Sequence, residues 1–116
     1  MSPPRTYTHP QPSDITLPRV LHALSDPIRL EMVRRLSTSE EADSITLADF
    51  LPRSTLTYHT RILRESGVTW TRSEGRSCMI SLRRADLEAC FPGLLDSLIE
   101  AADREAAASE GKEGTS

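Results

Sequence analysis

Three observations predict a mainly α fold with a two-stranded β wing. Apolar residues recur at helical spacing, one helix has an outward face of hydroxyls and arginine, and two alternating runs meet at a glycine turn tipped by an arginine. The 116 residues suit one domain, and a domain of this size buries only a modest core. With 37% hydrophobic residues and only five aromatics (Tyr7, Phe50, Tyr58, Trp70, Phe91), the expected core is aliphatic, and a dimer would supply the missing burial.

Residues 1–13 hold four of the eight prolines among Ser, Thr and Gln, which predicts a flexible N-terminal arm. The domain follows over 14–103. Leu17, Val20, Leu21 and Leu24 share one helical face, and Ile28, Leu30, Val33 and Leu36 another slightly out of phase. Between them Asp26 is placed to cap a new helix and Pro27 to begin it, so two short helices meet at Asp26. "STSEEADSI" reads as a polar loop and "TLADFL" as a short third helix ended by Pro52.

The fourth helix, "RSTLTYHTRILRESGV", turns Leu56, Thr60 and Leu63 to one side and Ser54, Thr57, Tyr58, Arg61 and Glu65 to the other, with Gly67 as its cap. In "VTWTRSEGRSCMISL", Val68 and Trp70 alternate with polar residues, as do Cys78, Ile80 and Leu82, and Arg76 stands at the turn. The last segment, "ADLEACFPGLLDSLIEAADREAA", is helical, with Pro92 at the start of its main part and Leu94, Leu95, Leu98, Ile99 and Ala102 forming a stripe with few partners left in one chain. Residues 104–116 fade into Gly, Ser and Glu, a predicted disordered acidic tail.

The net charge of −3 conceals its distribution: residues 1–50 sum to −2, residues 51–84 to +5 and residues 85–116 to −6. Arginine supplies every positive charge of that basic middle, which marks one surface for an anionic partner. Short hydroxyl side chains and arginine near a helix N-terminus suit a nucleic-acid groove, since they approach closely and bond base edges or phosphates. A solvated amphipathic helix would share this composition, but a short helix, a tight connection, a polar-faced helix and an Arg-tipped hairpin in that order are the parts of a winged helix-turn-helix.

At this point the sequence resembles the ArsR/SmtB family of bacterial transcriptional regulators over roughly residues 17–102. "LHALSDPIRLEMVRRL" is similar to that family's "LADPTRLRIL", "STLTYHTRILRESGV" to its "STVSHHLKVLREAGL", and "EGRSCMISLRRADL" to its wing and exit. The resemblance implies a DNA-binding set of Arg53, Ser54, Thr55, Thr57, Tyr58, Arg61 and the wing-tip Arg76, with Tyr58 where a His is common. His59 keeps the family's second His, but its helical angle lies toward the core and favours packing over base contact. The resemblance also implies a homodimeric repressor on a double-stranded DNA operator, joined through Leu17 and Leu21 of the first helix and Leu94, Leu95, Leu98 and Ile99 of the last.

The family's recognised metal sites are missing from the sequence: "TLADFL" holds no Cys or His, and residues 86–108 hold no His. No cofactor is expected, and the small-molecule effector, if there is one, is unspecified. Cys78 and Cys90 form no CxxC pair and read as small buried hydrophobes. A thiol- or metalloid-responsive repressor using Cys78 and Cys90 is one open alternative, and a winged helix serving protein contact is another. His9, in the arm, and His22, on a helix surface or seam, suggest no ligand set. No nucleophile elbow or Gly-rich phosphate loop supports an enzyme. The N-terminus lacks an apolar leader and no apolar run reaches about 18 residues, so a cytoplasmic protein without a membrane span is expected.

Overall fold

The computed structural model describes residues 6–114, with the backbone alone over 111–114. After a single 3-10 turn at Pro12–Asp14, the elements run α1 (Leu17–Leu24), α2 (Pro27–Leu36), β1 (Ala42–Asp43), α3 (Ser44–Leu47), α4 (Arg53–Glu65), β2 (Thr69–Glu74), β3 (Ser77–Leu82), α5 (Arg84–Cys90) and α6 (Leu94–Gly114). The three strands are antiparallel in the order β1-β3-β2.

Local chemistry sets the boundaries. The Asp26 carboxylate accepts from the amides of Ile28 and Arg29 at 2.8 and 3.1 Å, satisfying two orphan donors at the start of α2. Such a cap stabilises a helix by about 1 kcal/mol. At the end of α4, Val68 N–H donates to Leu63 O and Gly67 N–H to Arg64 O, the paired bonds of a Schellman cap. Gly67 has φ +86°, and a Cβ there would lie 2.5 Å from Ile15 Cγ1, so conformation and space both demand glycine. In the wing, Gly75 (φ +60°) is the first of the two turn residues between Glu74 and Ser77, the position a II′ hairpin reserves for glycine.

One aliphatic core joins all layers. Val20 and Leu24 of α1, Met32, Val33 and Leu36 of α2, Leu56 and Leu63 of α4, Ile80 and Leu82 of β3, Leu87 of α5 and Leu95 of α6 are buried together.

Several expectations are corrected. The wing sheet has a third strand, since Ala42 and Asp43, placed in a polar loop by composition, pair with Ile80 and Met79; two residues are too few to show a period. The third helix starts earlier than expected, at Ser44, because the Asp43 side chain caps it by accepting from Ile45 N–H at 2.9 Å. Trp70 lies on the outer face of β2 and is 42% exposed, while Thr69 and Thr71 point inward. Val68 does not set the phase of the strand, because it belongs to the α4 cap.

At the termini, residues 6–13 of the supposed flexible arm pack on the wing: His9 accepts from Thr71 N–H and Pro10 O accepts from Arg83. Residues 104–114 of the supposed disordered tail continue α6 to Gly114; once a helix is nucleated its propagation is cheap, and Ala106, Ala107, Ala108 and an Arg104–Glu100 pair at 2.7 Å favour it. The remainder of both segments lies outside the described residues. No helix among the described residues is long and apolar enough to cross a membrane.

Candidate nucleic-acid interface

Seven arginines fall in residues 51–84, and the structure divides them by what they touch. Arg72 is held by Glu41 at 2.5 Å and Glu74 at 2.9 Å. Arg83 is fully buried: its Nε donates to Asp86 Oδ2 at 3.0 Å, its Nη1 to Pro10 O at 2.8 Å, and its guanidinium lies 3.8 Å from the Trp70 ring centroid. Arg84 donates to Ser37 O. The other four, Arg53, Arg61, Arg64 and Arg76, line a single open groove of about 710 Å³ between α3, α4 and the wing. Ser44, Thr57, Ser73 and Ser77 line it too, no carboxylate does, and none of the four arginines is ion-paired among the described residues. A concave surface with four uncompensated guanidinium groups attracts an anion the size of a phosphate backbone.

The order of residues in α4 puts the groove's floor and wall on one helix. Leu56, His59, Thr60 and Leu63 are buried, whereas Arg53, Ser54, Thr57, Tyr58 and Arg61 are exposed and Thr55 is half-buried, the division the helical angle predicts. The hydroxyls are not all directed outward. Thr57 Oγ1 donates to Arg53 O at 3.0 Å and Thr60 Oγ1 to Thr57 O at 3.1 Å, which leaves their lone pairs as acceptors. Tyr58 is 50% exposed, stands edge-on to His59 and has the Arg61 guanidinium 6.0 Å from its ring centroid.

His59 is buried as expected, and its partner explains why. Arg29, itself buried, donates from Nε to Ala23 O at 2.7 Å and reaches His59 Nδ1 with Nη1 at 3.1 Å. A guanidinium has no acceptor, so Nδ1 accepts, and α4 is thereby tied to the corner between α1 and α2. At the other end of the connection Arg35 donates to Leu47 O at 3.1 Å and fixes α3. The Asp43 carboxyl is held below its usual range by the Ile45 amide and by Ser77, which joins the start of α3 to the turn end of the wing.

Of the expected set, Arg53, Thr57, Arg61 and Arg76 are brought together in the groove; Ser54, Thr55 and Tyr58 stand beside it on α4. Arg64 and Tyr7 were not anticipated. Arg64 follows Arg53, Thr57 and Arg61 at helical spacing, a signal that could have found it, whereas nothing in the proline-rich arm marks Tyr7. Cys78 lines the groove and the Cys90 thiol lies 3.6 Å from Pro12 O; both are free and half-buried against the core. No three metal-ligating side chains cluster among the described residues.

The chain matches no protein-family model. It is 32% identical over 98 residues to a Bacillus subtilis (strain 168) protein described as the uncharacterized HTH-type transcriptional regulator YceK, a match spanning 78% of this chain and 94% of that one. Among solved structures, a protein described as a possible transcriptional regulator for arsenical resistance superposes with a TM-score of 0.56 at 31% identity, over 80% of this chain and 97% of that one. An ArsR-like transcriptional regulator from Rhodococcus sp. RHA1 superposes with a TM-score of 0.56 at 27% identity, over 81% and 90% of the two chains. The chain belongs to the ArsR family. As an ArsR-family regulator it is a DNA-binding transcriptional regulator of winged helix-turn-helix fold and not an enzyme. In this ArsR-family chain the helix-turn-helix is α3 and α4, and the wing is the β2–β3 hairpin.

Proposed function

We propose that the chain is a homodimeric cytoplasmic repressor that lays its two α4 helices in successive major grooves of a roughly palindromic operator. Each wing then follows the adjacent backbone. The observation that carries this reading is the groove in which Arg53, Arg61, Arg64 and Arg76 meet no carboxylate. Thr57 and Tyr58 are the side chains on α4 best placed to read base edges, and Arg53, Arg61 and Arg76 those best placed to hold phosphates. Repression follows from the family's mode of action, in which the bound protein blocks transcription and a signal that re-spaces the two recognition helices releases it. Neither α3 nor α6 contains His or Cys, so the releasing signal acts at a place other than the family's recognised metal sites.

The test is a DNA selection from a random duplex library followed by salt titration of the selected site. Arg61→Ala and Arg76→Ala are expected to weaken binding and to reduce the slope of log K against log salt by about 0.9 for each phosphate no longer neutralised. Thr57→Ala or Tyr58→Phe is expected to alter the preferred base instead. Unchanged affinity and slope in both arginine variants would remove this surface from DNA recognition. Failure of the selection to enrich any motif would favour a winged helix used for protein contact.

A further inference from the structure

The N-terminal arm is pinned at four points to β2 and to the two ends of α5. His9 Nε2 accepts from Thr71 N–H at 2.9 Å on the open edge of β2, and its ring stands edge-on to Trp70 with centroids 5.0 Å apart. Pro10 O accepts from the buried Arg83 at 2.8 Å, and Pro12 O lies 3.6 Å from the Cys90 thiol. Prolines at 10 and 12 narrow the backbone's freedom and so lower the entropic cost of docking. These pins carry Tyr7, two residues before His9, to the rim of the basic groove, where its ring centroid lies 4.9 Å from the Arg64 guanidinium.

Arg64 sits one turn beyond Arg61, at the end of α4 farthest from the helix N-terminus. A free arginine there would sample many rotamers; stacking on a half-buried tyrosine restricts it while leaving its N–H edges open to an acceptor. We propose that residues 6–10 form a third wall of the DNA interface, beside α4 and the wing, in which Tyr7 positions Arg64 to hold a DNA phosphate. The proposal rests on the DNA-binding reading of the groove. It adds an arm-derived wall that neither the helix-turn-helix nor the wing supplies.

The same salt titration on the selected duplex, with full-length protein, tests it. Arg64→Gln is expected to lower affinity about tenfold and to reduce the salt slope by about 0.9 for the one phosphate it would hold. Tyr7→Ala is expected to lower affinity several-fold, Tyr7→Phe to restore it because the ring and not the hydroxyl carries the stacking, and Tyr7→Ala to have no further effect in an Arg64→Gln background. Thermal unfolding of each variant confirms that the fold is intact, and a slope change is one that simple destabilisation does not produce. Wild-type affinity and slope in Arg64→Gln and Tyr7→Ala, with Arg61→Ala still weakened, would overturn the third wall while leaving the DNA-binding reading in place. Absence of DNA binding by the wild-type chain would overturn both.

Discussion

Thr69 and Thr71 occupy the inner face of β2, opposite Leu82 and Ile80, and their hydroxyl oxygens are buried without a hydrogen-bond partner among the described residues. A buried hydroxyl that has given up water and found no partner in exchange costs roughly 1–3 kcal/mol, and valine has the same β-branched shape without the oxygen. Thr71→Val is therefore expected to stabilise the fold by about 1 kcal/mol, seen as a higher midpoint of urea unfolding at unchanged m. A lower midpoint would show that the hydroxyl has a partner after all. These two residues also mark where single residues stop being legible. Asp26, Gly67 and Gly75 were readable because a cap or turn is decided by the residue itself and its immediate neighbours. The inward phase of β2 was not. Val68 looks like the first apolar position of the strand but is committed to the α4 cap, and the rule of alternation then assigns Trp70 to the wrong face.

Among the elements, α4 was legible almost residue by residue, since its buried and exposed faces repeat every 3.6 positions over 13 residues. The arm was not, because its order comes from contacts more than sixty residues away in sequence, chiefly His9 with Thr71. That contact makes arm docking sensitive to protons. His9 accepts through Nε2 and so must be neutral when docked; burial, then Arg83, then Arg64 push its pKa below 6.5. The carboxylates nearby do not reverse this, as Asp86 is engaged with Arg83, and Asp14 and Glu65 only share the arm's outer cleft with Arg19 and Arg64. A depressed histidine pKa means that the released arm binds the proton more readily than the docked one. Docking should thus be at full strength above about pH 6.5 and weaken as pH falls from there through the docked-state pKa. Trp70, the chain's single tryptophan, stands edge-on to His9 and reports the change. Its fluorescence is expected to shift between pH 7.5 and 5, and to lose that shift in His9→Ala; identical titrations in the two proteins would rule the device out.

The described residues measure 54 × 32 × 22 Å, and the longest element is α6, whose 21 residues span about 32 Å at 1.5 Å per residue. Along it, Leu95 and Ala102 are buried in the chain's own core, and Leu94, Leu98 and Ile99 are packed only partly against it. Leu95, expected at the subunit interface, instead fills the chain's own core. On α1 the split is sharper: Val20 and Leu24 face inward, while Leu17 is 41% and Leu21 43% exposed, one turn apart on the opposite side. Two exposed leucines on a domain with so modest a core, beside the half-covered stripe of α6, are where a second copy would bury apolar surface. A symmetric dimer of this kind also sets the distance between the two α4 helices, so breaking the dimer should cost DNA binding without touching the groove. Leu17→Glu/Leu21→Glu is expected to leave the fold intact, to convert a particle of twice 12.9 kDa into one of 12.9 kDa by light scattering, and to lower operator affinity at least a hundredfold as the second half-site is lost. A variant that remains dimeric would place the interface on α6 alone or elsewhere. One that is monomeric yet binds the operator as tightly as the native chain would mean that a single α4 and wing carry recognition unaided.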